Sequence, residues 1–240
     1  MPRTVNPETR AVRREAFVQA GLRLIQTKGY EQMSVQDVLD DLHASRGAFY
    51  HYFASKRALL EAVVDSVVAA ALGTVAPITA EPGLSAVSKL EGIFTGIAGW
   101  KAERRELMLA LVRVWYSDDN VLTRDKLRGH LTVSLVPMLA EIIGQGVEEG
   151  VMSAHSPYGA ARAILSLLLG AQDAAIELFV GGQEQQVPFQ SVLGMLAGYT
   201  EAVERVLGLP SGSLKLFHED ALGLWFGSGG ENGLPNEARR

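Results

Sequence analysis

The chain has 240 residues, 48 % of them hydrophobic and 20 % charged, with no cysteine. This is enough apolar material for a small domain and a larger one, and the lack of Cys excludes disulfides and thiolate metal sites and fits a reducing compartment. The net charge of −5 divides unevenly, with nine Lys/Arg against six Asp/Glu in residues 1–57 and thirteen against twenty-one beyond, so a basic head would face a polyanion while an acidic body stays off it.

Residues 1–8 hold two prolines and no apolar periodicity and read as a loose arm; its Arg3, with Arg10, Arg13 and Arg14 beyond, can touch phosphate or a minor groove or simply stay solvated. From Thr9 to Lys28, Phe17, Ala20, Gly21, Leu24 and Ile25 recur at helical spacing, and Gly29 is placed to end that helix in a left-handed cap. Tyr30 should then pack beneath the next two helices. Ser34 and Asp37, three residues apart, form a capping-box pair, and Val35, Val38, Leu39 and Leu42 share one face of the helix they open. A second start follows at Ser45, so the first helix must stop near His43. In the second, Phe49 and Phe53 turn inward and leave Arg46, Gly47, Tyr50 and His51 outward. Such a face suits a major groove. Gly47 and Ala48 let the backbone approach base edges, Arg46 reaches guanine or phosphate, and Tyr50, His51 and Tyr52 are long enough for phosphate oxygens. Ser55 caps a fourth helix whose first turn carries Lys56 and Arg57, a cationic helix start able to hold phosphate. Apolar positions from Leu60 to Ala71 carry this linking helix to about Leu72, with Gly73 and Pro77 as its limit.

The stretch from Gly29 to Leu60, GYEQMSVQDVLDDLHASRGAFYHYFASKRALL, resembles the DNA-binding domain of the TetR family of transcriptional regulators. The Gly29-Tyr30 pair, the Ser34 cap, the short turn, Ser45-Arg46-Gly47, Tyr50-x-x-Phe53 and Ser55-Lys56 occur in the family's order and spacing. The likeness covers about the first quarter of the chain. Two departures stand out. Leu42, His43 and Ala44 replace the usual Ala-Gly-Val of the turn, and Arg57 replaces an acidic residue. Histidine tolerates a left-handed backbone, so the turn should survive with some strain. The resemblance implies a homodimer on double-stranded operator DNA in a prokaryotic cytoplasm, at the nucleoid. Its contacts would come from Ser34, Ser45, Arg46, Gly47, Ala48, Tyr50, His51, Tyr52 and Lys56.

Beyond the linking helix no stretch alternates apolar and polar residues for long, so the body reads as helices. They run from Leu84 to about Glu103, Arg105 to about Tyr116, beyond the 117–120 turn to about Glu149 with a kink at Pro137, Pro157 to Val180 before Gly181-Gly182, Pro188 to about Leu207, and finally Leu214 to Phe226. The expected organisation is all-α: a three-helix head with helix-turn-helix (9–56), a linking helix (56–72), a larger helical ligand-binding and dimerisation body (73–226) and a disordered tail (227–240). No export signal opens the chain and no uncharged apolar run is long enough to span a bilayer, so no membrane partner is expected.

Gly170, Ala171, Ala174 and Ala175 on one late helix and Gly194, Ala197 and Gly198 on the next would let helices approach closely, either across a dimer interface or within one subunit. The resemblance favours the dimer. Phe94, Trp100, Trp115 and Tyr116, with His130 and Gln172 as polar groups, are candidates to line a pocket for a bulky, mostly apolar effector; packing into a filled core is the alternative for each aromatic. The five histidines are scattered, no Gly-rich loop joins a strand to a helix and no nucleophile sits beside a base, so neither a catalytic residue, a metal site nor a cofactor is assigned. The function expected is an effector-released repressor on a palindromic operator, the alternatives being a regulator that recruits partners without an effector, or an enzyme.

Overall fold

A computed structural model describes residues 7–116, 121–181 and 188–226, with side chains apart from those of Pro7, Trp115, Tyr116, 121–123 and Gly181. Among the described residues the chain is all-α. Its ten helices are α1 (Pro7–Lys28), α2 (Val35–Leu42), α3 (Arg46–Tyr52), α4 (Lys56–Ala80), α5 (Ala86–Glu103), α6 (Arg105–Tyr116), α7 (Val121–Glu148), α8 (Pro157–Gly181), α9 (Phe189–Leu207) and α10 (Glu219–Phe226). The arm residue Arg3, the 117–120 turn, Gly182 and the 227–240 tail lie outside the described residues. Packing divides the chain into two units, Met1–Leu72 with Arg104–His130, and Gly73–Glu103 with Leu131–Arg240.

The first unit is built around α1, which packs against α2 and α6, while α2 packs against α3. Its core holds Phe17, Ile25, Met33, Val38, Phe49, Leu60 and Val63, each at most 3 % exposed. Val35 and Leu42, at the edges of the apolar face of α2, are half-buried. At Gly21 the helices come close: a Cβ there would lie 3.1 Å from Leu59 Cδ2 and from Val63 Cγ2, so α1 and the start of α4 meet through a missing side chain. An ion pair and a hydrogen bond join α4 to α7 in this unit, Lys126 Nζ to Glu61 at 2.8 Å and His130 Nδ1 to Asp65 at 2.8 Å.

In the second unit α8 pairs with α9, and α10 rests on α5 and α9. Leu90, Ile143, Ile164 and Leu207 are at most 2 % exposed in its core. Carboxylates fix its irregular backbone. Glu204, 2 % exposed, accepts from the N–H groups of Gly212 and Leu214 at 3.1 and 2.9 Å, and Glu91 accepts from that of Lys215 at 2.9 Å. Those bonds explain one departure from expectation. The last helix begins at Glu219, not Leu214; Leu214 and Leu216 form a non-helical segment, 5 % and 4 % exposed, whose backbone is committed to Glu204 and Glu91.

Helix α4 also passes its expected limit, with Pro77 inside it. Proline forfeits one helical bond and crowds the carbonyl four residues back, here that of Gly73. Packing offsets this cost. Val75 is wholly buried, and Val75 and Ile78 fill the space where side chains at Gly96 and Gly92 of α5 would stand, at 3.0 and 2.8 Å. A second correction concerns membranes: by length and composition alone Lys56–Ala80, Arg124–Glu148 and Pro157–Val180 are long and apolar enough to cross one. Counting uncharged runs missed them, because each carries a few charges within an apolar stretch.

Candidate functional site

The helix-turn-helix is assembled by bonds that its own sequence supplies. Ser34 Oγ accepts from the Asp37 N–H at 3.1 Å and Asp37 Oδ2 accepts from the Ser34 N–H at 2.8 Å, closing the capping box at the start of α2. Lys28 Nζ and, at 2.8 Å, the Ser34 hydroxyl donate to the same carboxylate, and the three hydrogen bonds it accepts, from Lys28 first, then from the Ser34 N–H and the Ser34 hydroxyl, hold the Asp37 carboxyl well below the usual carboxylate range. His43 closes α2 at φ 49° and ψ 42°, its N–H facing the Asp40 and Leu39 carbonyls. This is the left-handed turn that glycine would make more easily. Ser45 Oγ then caps α3 by accepting from the Ala48 N–H at 3.2 Å, and Ser55 Oγ caps α4 by accepting from the Ala58 N–H at 3.1 Å.

These caps set the rotation of α3. Phe49 is fully buried, with the Phe17 ring edge-on to it at 5.7 Å, and Phe53 is 3 % exposed. Opposite them Ser45, Arg46, Gly47, Tyr50 and His51 are exposed, with Ala48 and Tyr52 half-buried. A Cβ at Gly47 would meet nothing nearer than Ser45 Oγ at 4.0 Å. No described neighbour comes close enough to require a glycine there.

Residues 17–63 match the model of the bacterial regulatory proteins of the tetR family. The chain carries a TetR-family helix-turn-helix head. The uncharacterised HTH-type transcriptional regulator YvdT of Bacillus subtilis is 31 % identical over 61 residues, covering 25 % of this chain and 31 % of that protein. An HTH-type regulator of Lactococcus lactis is 40 % identical over 53 residues, covering 22 % of this chain and 27 % of its own length. The chain thus spans a third or less of the curated relatives it matches. Similarity of fold reaches much further. A TetR-family transcriptional regulator from Pectobacterium atrosepticum superposes with TM-score 0.62 at 18 % identity, over 86 % of this chain and all of that one. One from Haloarcula marismortui superposes with TM-score 0.58, also at 18 % identity, over 82 % and 97 %. The fold is therefore that of TetR regulators, a helix-turn-helix head with a helical body.

Charge in this TetR-type head is sorted between helices. Arg23 pairs with Asp41 at 2.6 Å and Lys28 with Asp37, so cations of α1 neutralise two acids of α2. Arg46, on the outward side of α3, forms no ion pair among the described residues. Lys56 is partly engaged: its Nζ lies 4.3 Å from the centre of the Tyr30 ring and donates to the Glu31 carbonyl at 3.2 Å. An ammonium has three N–H groups, so this contact orients Lys56 and leaves donors for a phosphate. Tyr30 beneath Lys56 was legible as a packing residue, but its hold on the cation was not.

The expected pocket residues do not form one described group. Trp100, 7 % exposed, Phe94, half-buried with its ring 6.0 Å from that of Phe217, and Gln172, half-buried on α8, belong to the second unit. His130 belongs to the first, where it bonds Asp65 beside a cleft of about 180 Å³ lined by Glu61, Val64, Lys126 and Leu127. The side chains of Trp115 and Tyr116 lie outside the described residues. One polar contact in the second unit had no counterpart among the sequence expectations. Lys101 Nζ donates to Gln172 Oε1 at 3.3 Å, and burial pushes its ammonium pKa down. The only sequence sign was a lysine directly after a core tryptophan.

Proposed function

We propose that this chain is a repressor that acts as a homodimer, each α3 entering one half of a palindromic operator, and that an effector in the body releases it. The observation that carries the reading is the sidedness of α3: aromatics hold it from within while Arg46, Gly47, Tyr50 and His51 stand outward. A seven-residue recognition helix offers few base contacts, so specific binding needs two heads with half-sites ~34 Å apart or a multiple of it. Occupying a promoter in this way would block polymerase. Residues 9–56 would form the head, 56–72 the link and 73–226 the ligand-binding and dimerising body, in the cytoplasm and at the nucleoid.

Support for the dimer comes from α8 and α9. Gly194, Ala197 and Gly198 are exposed, and side chains at the two glycines would meet nothing within 4 Å. Only 17 % of the apolar stretch of α8 is buried within one chain. A second copy would cover this surface with close helix packing. The effector reading draws on the body's half-buried aromatics, and a hundredfold release of operator would need ~2.7 kcal/mol of coupling between the sites.

The test is binding to fragments of the gene's own promoter, followed by fluorescence anisotropy across salt concentrations. Lys56→Ala should weaken binding to every sequence and lower the salt slope by about one. Arg46→Ala and Tyr50→Ala should also change the preference among sequences. Equal losses on all sequences from all three variants would refute the assignment of base reading to α3, and a monomer in sedimentation would refute the two-headed arrangement.

A further inference from the structure

Within the second unit, Lys101 is a partly buried cation that meets a neutral group rather than an acid. Lys101 is half-buried on α5, reaches across to α8, and finds there only the neutral amide of Gln172 at 3.3 Å. Among the described residues it forms no ion pair. Its environment lowers the pKa of the ammonium through desolvation. A charge held in this way is usually compensated.

The chemistry of the pair says what would compensate it. An ammonium has no lone pair, so the Gln172 atom facing it is the carbonyl oxygen, and the amide NH2 points elsewhere. That oxygen is taken by Lys101. What remains is two ammonium N–H groups and two amide N–H groups, with no described bond made by the latter: four donors around a single acceptor atom that already accepts from Lys101. One turn away along each helix stand apolar residues, Ile97 on α5 and Leu168 and Ile176 on α8, and Trp100 precedes the lysine. A ligand that suits such a place brings acceptors only, one negative charge and a hydrocarbon body. A dianion would replace an unpaired cation with an unpaired anion.

We propose that Lys101 and Gln172 anchor an apolar monocarboxylate, one carboxylate oxygen taking the ammonium and the other the amide N–H groups, with the hydrocarbon along α5 and α8. The proposal rests on the reading of the body as effector-binding and names the class of effector. Hydrogen bonds to a charged group contribute about 1.5–3 kcal/mol. The acid should therefore bind about ten- to a hundredfold more tightly than the alcohol of the same skeleton.

The experiment uses the full chain without DNA, titrated by calorimetry and thermal shift with two matched pairs of probes, decanoate against decanol and 2-naphthoate against 2-naphthylmethanol. Wild type should prefer an acid over its alcohol. Lys101→Met should abolish that preference while keeping alcohol affinity, and Lys101→Arg should keep it. Lys89→Met is the control: that lysine is also on α5 and 7 % exposed, but lies twelve residues, ~18 Å, away along the helix, so its loss should leave the preference intact. Failure of both acids to bind, equal affinity of acid and alcohol, or a preference that survives in Lys101→Met would overturn the site. Operator release is measured separately with the acid that binds. Preference lost in Lys101→Met but no release in wild type would support the site and overturn the effector-released reading instead.

Discussion

Phe49→Ala would separate what holds α3 from what α3 presents. The ring is fully buried, 5.7 Å from Phe17 at 81°, 5.8 Å from Phe53 and 5.3 Å from Tyr50 at 88°. A buried phenylalanine removes ~150–250 Å² from water, worth ~4–6 kcal/mol at ~25 cal/mol per Å². Measured truncations of this kind cost about 3–5 kcal/mol, so ~4 is a fair expectation. Against a domain stability of ~5–15 kcal/mol, that leaves the head near its threshold. At ~4–8 °C per kcal/mol for a domain of this size, the melting midpoint of the head should fall by ~15–30 °C. Tyr50→Ala, one residue on but 48 % exposed, should cost under ~1 kcal/mol. Circular-dichroism melts and operator anisotropy on both variants provide the assay: Phe49→Ala should lose fold and binding together, Tyr50→Ala binding alone. A Phe49→Ala protein that melts within a few degrees of wild type and still binds operator would refute the packing argument.

Three further outcomes follow from local geometry. The Asp37 carboxyl is lowered in the fold, so its contribution to stability is fully present above the unfolded carboxyl value of ~3.9 and is lost as pH falls below it. Asp37→Asn should accordingly lower the head's melting temperature at neutral pH and flatten its decline in acid. At His43, with φ 49°, glycine should be tolerated or slightly stabilising, whereas Val, β-branched and left-handed, should cost about 1–2 kcal/mol in urea titrations. Lys101 shares the direction of Asp37 but not the meaning: its folded pKa is also lowered, so between that value and ~10.4 the unfolded chain binds the extra proton and wild-type stability rises with pH, yet here it is the charged form that the fold disfavours. Lys101→Met should be the more stable protein at neutral pH and lose that rise; a less stable variant would show that the ammonium is well solvated.

What was legible in the sequence is what closes within a few residues. The Ser34–Asp37 box, the Ser45 and Ser55 caps and the inward turn of Phe49 and Phe53 all join residues three or four apart, where helix geometry leaves little choice. The left-handed backbone at His43 and Gly29 follows from the same short-range rules. Long-range partners were not legible. That Lys28 would join the capping box, that Lys56 would rest on Tyr30, and that Lys101 would meet Gln172 depend on how helices cross, which periodicity does not record. The same holds for Pro77: read locally it ends a helix, but Val75 and Ile78 filling the glycine gaps on α5 outweigh it.

Composition by itself would place α4, α7 and α8 in a bilayer as readily as in a protein interior, and the charges they carry decide between these readings. On α4, Glu61 and Asp65 are one turn apart and meet Lys126 and His130 of α7; the Lys126–Glu61 pair satisfies its charges within the chain but would be costly in hydrocarbon, where each ion must shed its water. Helix α8 differs, having an apolar surface that one copy of the chain leaves largely uncovered. Lipid or a second copy would cover it equally well as apolar surface. The small residues do not serve both equally. Glycines at 194 and 198 with open space before them bring nothing to a lipid chain, but let another helix approach closely enough for its backbone to pack. Under the proposed reading, a head with seven residues of recognition helix would also need a partner head, so the uncovered face and the short α3 would be served by the same second copy.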